Sequence, residues 1–241
     1  MRGIGMRPQR HTPRCRRHTA CCAPGVNAAS SPSDASARER APLAAAPARR
    51  ATALLVIDMI SAWDFPDAGT LAPRALRIAP RIAALKARCR LAGVPVIYAN
   101  DNRGRWRSAF GELVEAARRA GGDALRIAEQ LTPTREDYRV LKPKHSAFYA
   151  TPLELLLAHL AVRHLILTGV TGDQCVLATA ADARMRDFAV AIPPDCVASL
   201  SDERDARAAR YFEEVLGAEV SPSGALRWPE PAPDGGAPPG P

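Results

Sequence analysis

Lysine is almost absent from this chain. Among 241 residues there are three lysines against thirty arginines, so a lysine that stands in this composition marks a place where guanidinium is no substitute for a compact ammonium. Long apolar runs are absent too. No stretch approaches the roughly 20 residues that carry a helix through a bilayer, which excludes a spanning helix and points to a soluble protein. Aromatic residues make up only 5% of the chain. Cysteine is sparse and scattered: Cys15, Cys21, Cys22, Cys89, Cys175 and Cys196 follow no disulfide spacing, as expected of reduced thiols. Histidine does not occur between Ala51 and Lys144, and the early Cys15, Cys21 and Cys22 with His11 and His18 match no zinc pattern. No metal and no cofactor are expected.

The charge is equally uneven. Residues 1–50 hold ten Arg against Asp34 and Glu39, whereas the remainder carries 23 basic and 23 acidic residues. The basic surplus that would suggest nucleic acid or a membrane surface as partner therefore belongs to the arm, and the body is electroneutral. The arm is rich in Ala, Pro, Ser and Arg without apolar periodicity, so residues 1–50 are expected to be disordered, as is the Pro/Gly-rich segment 229–241. Arg16-Arg17 is not followed by the apolar core of an export signal, which makes the cytoplasm the expected location. A true start near Arg50 and a functional arm both remain open.

From Ala51 to Trp228 short apolar runs alternate with amphipathic stretches, the pattern of repeated strand–helix units. Strands are expected at 52–57, 94–99, 137–141, 164–168, 188–192 and 218–220. Helices are expected at 73–92, 106–120, 125–131, 152–160, 175–187 and 202–216. The predicted fold is a three-layer, Rossmann-like α/β domain: about six mainly parallel strands with helices on both faces. Ligands in such sheets bind beyond the carboxyl ends of the strands. That rule selects Asp58, residues 100–102, residues 142–145 and the loop 169–175.

Three of these segments carry groups fit for acid, base or nucleophilic chemistry. Cys175 follows a strand and a Gly-containing turn and is expected to open a helix, where dipole and free N–H groups favour thiolate. A small buried hydrophobe is the plainer alternative. Asp58 ends a wholly apolar strand, where a carboxylate is costly without a partner, although Asp also caps loops. Lys142 and Lys144, two of the three lysines, share one short segment at a strand end. An exposed basic loop would look the same.

Taken together, Val56-Ile57-Asp58-Met59, Lys142-Pro143-Lys144-His145-Ser146-Ala147-Phe148 and Gly169-Val170-Thr171-Gly172-Asp173-Gln174-Cys175-Val176 resemble the isochorismatase-like cysteine hydrolases. The resemblance runs from about Ala51 to Trp228 and implies a catalytic triad of Asp58, Lys142 and Cys175, usually in a homo-oligomer. It implies that Cys175 attacks a carbonyl or imino carbon, that Asp58 takes the thiol proton and passes it to the leaving amine, and that Lys142 holds both. It also implies an oxyanion hole from the N–H groups of Thr171 and Cys175, with a cis peptide between Val170 and Thr171.

Departures from the family narrow the substrate. The nicotinamidase branch uses an Asp-His-His metal site, for which the histidines are missing here. True isochorismatases carry Trp, Arg and Tyr where this chain has Pro143, Lys144 and His145, and no carrier domain follows Trp228. The expectation is an amidohydrolase acting on a small amide or ureido compound. Phe65, Asn102, Trp106, His145 and Phe148 are the candidate substrate contacts, each of which could instead be a packing or turn residue. Three other readings stay open: vinyl-ether hydrolysis of an isochorismate-like acid, a thiol redox protein pairing Cys175 with Cys196, and an inactive oligomeric binding module.

Overall fold

A computed structural model describes residues 52–106 and 109–228, so the expectations for 1–50 and 229–241 lie outside the described residues. Six strands form one sheet: β1 (Thr52–Ile57), β2 (Val96–Asp101), β3 (Tyr138–Lys142), β4 (His164–Val170), β5 (Ala189–Ala191) and β6 (Val197–Ala198). The order is β3-β2-β1-β4-β5, with β6 beside β4, and every pairing is parallel. Apart from the short step through residues 192–196 from β5 to β6 along one edge of β4, each connection between strands crosses over, and helices cover both faces. They are α1 (Ala68–Leu91), α2 (Phe110–Ala120), α3 (Gly122–Leu131), α4 (Leu153–His159), α5 (Leu177–Arg184) and α6 (Asp202–Glu214). None of these helices is long and apolar enough to cross a membrane.

β1 shows why the sheet has two cores. Its TALLVI run is buried throughout, with Leu54 and Val56 packed under α1, α2 and α3, and Ala53, Leu55 and Ile57 under α4, α5 and α6. Alternation along the strand sends successive side chains to opposite faces, so a continuous apolar run is what a central parallel strand requires.

Several boundaries differ from expectation for identifiable reasons. α1 begins at Ala68, five residues before Pro73, and contains both Pro73 and Pro80. Its periodic apolar face, from Leu71 to Cys89, packs into the core and outweighs the two missing N–H donors. β2 runs two residues further than expected, because the Asn100-Asp101 backbone continues the pairing with β3 at Leu141 and Lys142. Trp106 lies outside α2. The expected strand at 218–220 contributes only a single bridge, Ala191 to Glu219. The sixth strand is instead Val197–Ala198, pairing with Gly169 and Val170.

Candidate active site

The sheet order reverses between β1 and β4, which places the crevice of an open parallel sheet at their carboxyl ends. Asp58 leaves β1 there with φ at 54°, a left-handed conformation that Asp tolerates better than most side chains. Its N–H donates to the Ala99 carbonyl at 3.0 Å. Gly169 stands opposite Ile57 in the β1–β4 register, and β4 continues to a cis Val170–Thr171 peptide. Residues Gly172–Val176 then form a π-helical turn before α5 begins at Leu177. Cys175 thus sits inside that turn and not at the first residue of an α-helix, a correction to the sequence expectation.

Lys142 comes from two strands away. It closes β3, opposite Asp101 in β2, and its side chain and that of Asp58 together bridge the two strand spacings, about 10 Å, between β3 and β1. Nζ lies 2.8 Å from Asp58 Oδ2, 3.2 Å from the Lys144 carbonyl oxygen and 3.5 Å from Cys175 Sγ. The Lys142 side chain has no exposed surface, whereas that of Asp58 keeps 16%. The second Asp58 oxygen accepts the Asp101 N–H at 2.7 Å. Burial by itself would drive the proton off Lys142. The charge of the Asp58 carboxylate, and the hydrogen bond to it, oppose that loss, and the ammonium is held above its ordinary pKa.

The sulfur behaves differently from the thiolate expected of a helix start. Burial pushes the Cys175 thiol up to about 12, the Asp58 carboxylate pushes the same way, and Lys142 opposes both. The resting site is a protonated thiol beside a lysine–carboxylate pair, so the sulfur needs a base before it can attack. Cys196, considered above as a redox partner, is wholly buried in the core under α1, whereas Cys175 packs against the core of the opposite face.

A cavity of about 480 Å³ opens over this cluster. Asp58, Thr171 and Cys175 line its floor, and Ile60, Trp63, Phe65, Leu71 and Leu113 give it apolar walls. Of the candidate substrate contacts, Phe65 and His145 line it. Phe65 sits 5.8 Å from the Trp63 ring, and His145 Nδ1 lies 3.5 Å from Cys175 Sγ. Three candidates are placed elsewhere. Asn102 is buried as a turn residue, its Oδ1 accepting the Gly104 N–H at 2.9 Å. Trp106 is 78% exposed and does not line the cavity. Phe148 packs in the core 5.9 Å from Phe188, with the Arg186 guanidinium over its ring.

Asn100 and Trp63 line the cavity without having been named as substrate contacts, although Asn100 lies in the selected segment 100–102. The two-residue extension of β2 brings Asn100 to the wall, where its Nδ2 donates to the Ile60 carbonyl at 2.7 Å. Trp63 turns inward from a left-handed backbone position with φ at 54°, and its Nε1 is buried without a partner in the protein. No local pattern announces such a conformation at a tryptophan. Among the described residues, no group of three His, Cys, Asp or Glu side chains gathers in metal-binding proximity.

Known proteins resemble this chain in sequence and in fold. The family model described as "Isochorismatase domain" matches residues 52–223. An uncharacterized isochorismatase family protein of Bacillus subtilis (strain 168), YaaI, is 43% identical over 170 residues, covering 70% of this chain and 92% of that protein. Enterobactin synthase component B of Escherichia coli (strain K12) is 28% identical over 187 residues. That match covers 75% of this chain, which spans only 64% of the longer relative. Among solved structures, the N-carbamoylsarcosine amidase from Thermoplasma acidophilum superposes with a TM-score of 0.59 at 27% identity, covering 74% of this chain and 99% of that one. On this match in sequence and fold, the chain belongs to the isochorismatase family and is a hydrolase of that family.

Proposed function

We propose that this hydrolase cleaves a C–N bond in a small amide or ureido compound, with Cys175 as nucleophile. The observation that carries the reading is the position of Lys142 Nζ, wholly buried, 2.8 Å from a carboxylate oxygen and 3.5 Å from a sulfur. An ammonium in that place is the charge that a sulfur must lean on once its proton has gone to Asp58. The structural likeness to an amidase supports the choice of bond.

In the proposed cycle Asp58 accepts the thiol proton and Sγ attacks the carbonyl carbon. The negative oxygen of the tetrahedral intermediate is received by backbone N–H groups of Thr171 and Cys175 at the cavity floor. Asp58 then protonates the nitrogen, the C–N bond breaks, and ammonia or an amine leaves behind a thioester on Cys175. Water attacks the thioester, the C–S bond breaks, the acid is released and the sulfur recovers a proton. The substrate is small, in keeping with a cavity of about 480 Å³ whose walls are largely apolar.

A screen of small amides and N-carbamoyl compounds, read by ammonia release, tests the reading. Turnover by the wild type that is abolished in Cys175→Ala is the expected result. Equal turnover by Cys175→Ala would overturn it.

A further inference from the structure

The polar side chains around the cavity bear on which atoms flank the scissile carbonyl. Most of them are already engaged within the protein. Asp58 is taken by Lys142 and the Asp101 N–H, Asp64 by Arg103, and Ser61 Oγ by the Trp63 N–H. Asn100 is fixed on the Ile60 carbonyl, and His145 touches the sulfur. Thr171 Oγ1, Trp63 Nε1 and Asn100 Oδ1 lack protein partners, but each of those atoms is buried. Gln174 differs from all of these. It lines the cavity, it is exposed, and among the described residues its carboxamide has no partner.

We propose that Gln174 selects a ureido compound, R–NH–CO–NH2, over a simple carboxamide, R–CH2–CO–NH2, because its Oε1 accepts the N–H that stays on the reacting carbon. The inference rests on the reading of Cys175 as nucleophile in C–N cleavage and names the substrate class for it.

Gln174 precedes the sulfur by one residue, and the turn that carries both is held on several sides. The Thr171 carbonyl accepts the Gln174 N–H at 3.2 Å and the Val176 N–H at 3.1 Å. Gly172 abuts the edge strand β6 so closely that a methyl group there would lie 2.8 Å from Val197 Cγ1 and 2.9 Å from Ser199 Oγ. The Asp173 carboxylate accepts from Arg204 Nε in the first turn of α6. Such a turn carries residue 174 at a fixed offset from Sγ, which is the condition for reading an atom bonded to the carbon that the sulfur attacks.

The two substituents of that carbon face different strands. Asp58 follows β1 and receives the leaving nitrogen, whereas the turn follows β4 and meets the substituent that is retained. A carboxamide offers there a methylene, which cannot donate. A ureido compound offers an N–H.

The retained N–H survives both halves of the cycle. Sγ bonds to the carbonyl carbon, ammonia leaves with the proton from Asp58, and R–NH–CO remains on the sulfur as a thiocarbamate. Water then bonds to that carbon, the C–S bond breaks, and Asp58 passes a proton from the water to the departing sulfur. The carbamic acid R–NH–COOH falls to an amine and carbon dioxide. One acceptor at position 174 therefore serves substrate and intermediate alike.

Three neutral probes test the assignment: propylurea, N-methyl-N-propylurea, in which the N–H is methylated, and pentanamide, in which a methylene replaces it. By ammonia release, wild-type kcat/KM for propylurea is expected to exceed that for N-methyl-N-propylurea by at least about 10-fold, the scale of one hydrogen bond. Gln174→Leu brings the two ureas within about threefold of each other, whereas Gln174→Glu, which keeps an acceptor oxygen, keeps the preference. Calorimetric binding to Cys175→Ala follows the same order. A preference that survives in Gln174→Leu would be steric and would overturn the role of Gln174, as would a wild type with no preference. Turnover of pentanamide without binding or turnover of propylurea would overturn the ureido class, and so would failure of all three probes to bind or react. Hydrolysis of propylurea by Cys175→Ala at the wild-type rate would instead remove the nucleophile, while the ratio of the two ureas would still report on Gln174.

Discussion

A methyl group on Gly169 would lie 2.0 Å from the carbonyl oxygen of Ile57, closer than any packed atoms allow. The φ of Gly169 is +110°, so a side chain is opposed by its own backbone as well as by its neighbour. This contact closes β4 onto β1 where Asp58 and the Cys175 loop diverge, and it makes glycine a requirement of the site's floor. Gly169→Ala is expected to lose at least about 3 kcal/mol of stability, since both the clash and the strain are backbone terms that no rotamer relieves. A urea midpoint within error of the wild type would show that the strands can part there without cost.

Lys142 faces a stricter requirement than charge alone. Lys142→Met removes the ammonium and leaves the Asp58 carboxylate without its buried partner, which is expected to cost about 3 kcal/mol or more. Hydrolysis should fall by at least about 100-fold, the scale of one electrostatic stabiliser. Lys142→Arg should not rescue activity, because the planar guanidinium cannot meet Asp58, Cys175 and the Lys144 carbonyl from a position without exposed surface. Steady-state turnover of any substrate found in the screen, alongside chemical denaturation, measures both effects. Normal turnover in Lys142→Met would remove Lys142 from the chemistry, and normal turnover in Lys142→Arg would show that charge alone suffices there.

The state of the sulfur has a signed consequence. Burial and the Asp58 charge hold the Cys175 thiol up near 12, against Lys142. At pH 8 iodoacetamide should therefore modify Cys175 more slowly than a free cysteine. Asp58→Asn removes a charge that favours the protonated form, so it should speed alkylation while hydrolysis is lost. Lys142→Met should slow alkylation further. Cys89 and Cys196 have no exposed surface and should stay unmodified in the native protein. Slower alkylation in Asp58→Asn would contradict this electrostatic ordering.

Far from the cavity, Asp137 holds two cations from α1. Its carboxylate is 2% exposed and meets Lys86 Nζ at 3.0 Å and Arg90 at 2.8 Å. Burial pushes its pKa up, but the Thr134 N–H, Arg90 and Lys86 outweigh burial and hold it below the ordinary carboxylate value. The stabilisation is thus complete above the ordinary carboxylate value and is lost as pH falls from there through the depressed value of the folded state. Asp137→Asn should lower stability at neutral pH, because Lys86 is left buried without its counter-charge, and should flatten the acid limb. An acid limb as steep as the wild type's would assign acid lability to other carboxylates.

The strand at Thr52–Ile57 was legible because its burial on both faces is written as a continuous apolar run. The strand at Val197–Ala198 was not, since two residues hold no periodicity and their pairing with Gly169 and Val170 depends on where β4 ends. Asp58, Lys142 and Cys175 could be picked out by strand-end position and by the scarcity of lysine, and they do converge. Asn100 was passed over for Asn102 because the strand end was misjudged by two residues: Asn100 lies within β2 and lines the cavity, whereas Asn102 falls just past the strand and is taken up by the turn that follows. Phe148 illustrates the opposite error: an aromatic beside a site segment turned into the core, where Phe188 offered it a ring.

Local chemistry written in the chain was thus enough to indicate the alternation of strands and helices and the mainly parallel sheet, and only together with the family resemblance did it single out Asp58, Lys142 and Cys175. The protonation of the sulfur, the contact between His145 and Cys175, and the walls of the cavity were decided only by the fold. The reason is physical. Propensity and pattern act over a few residues, whereas burial, field and contact at the cavity are set by β1, β3 and β4 together, and no single segment contains that sum.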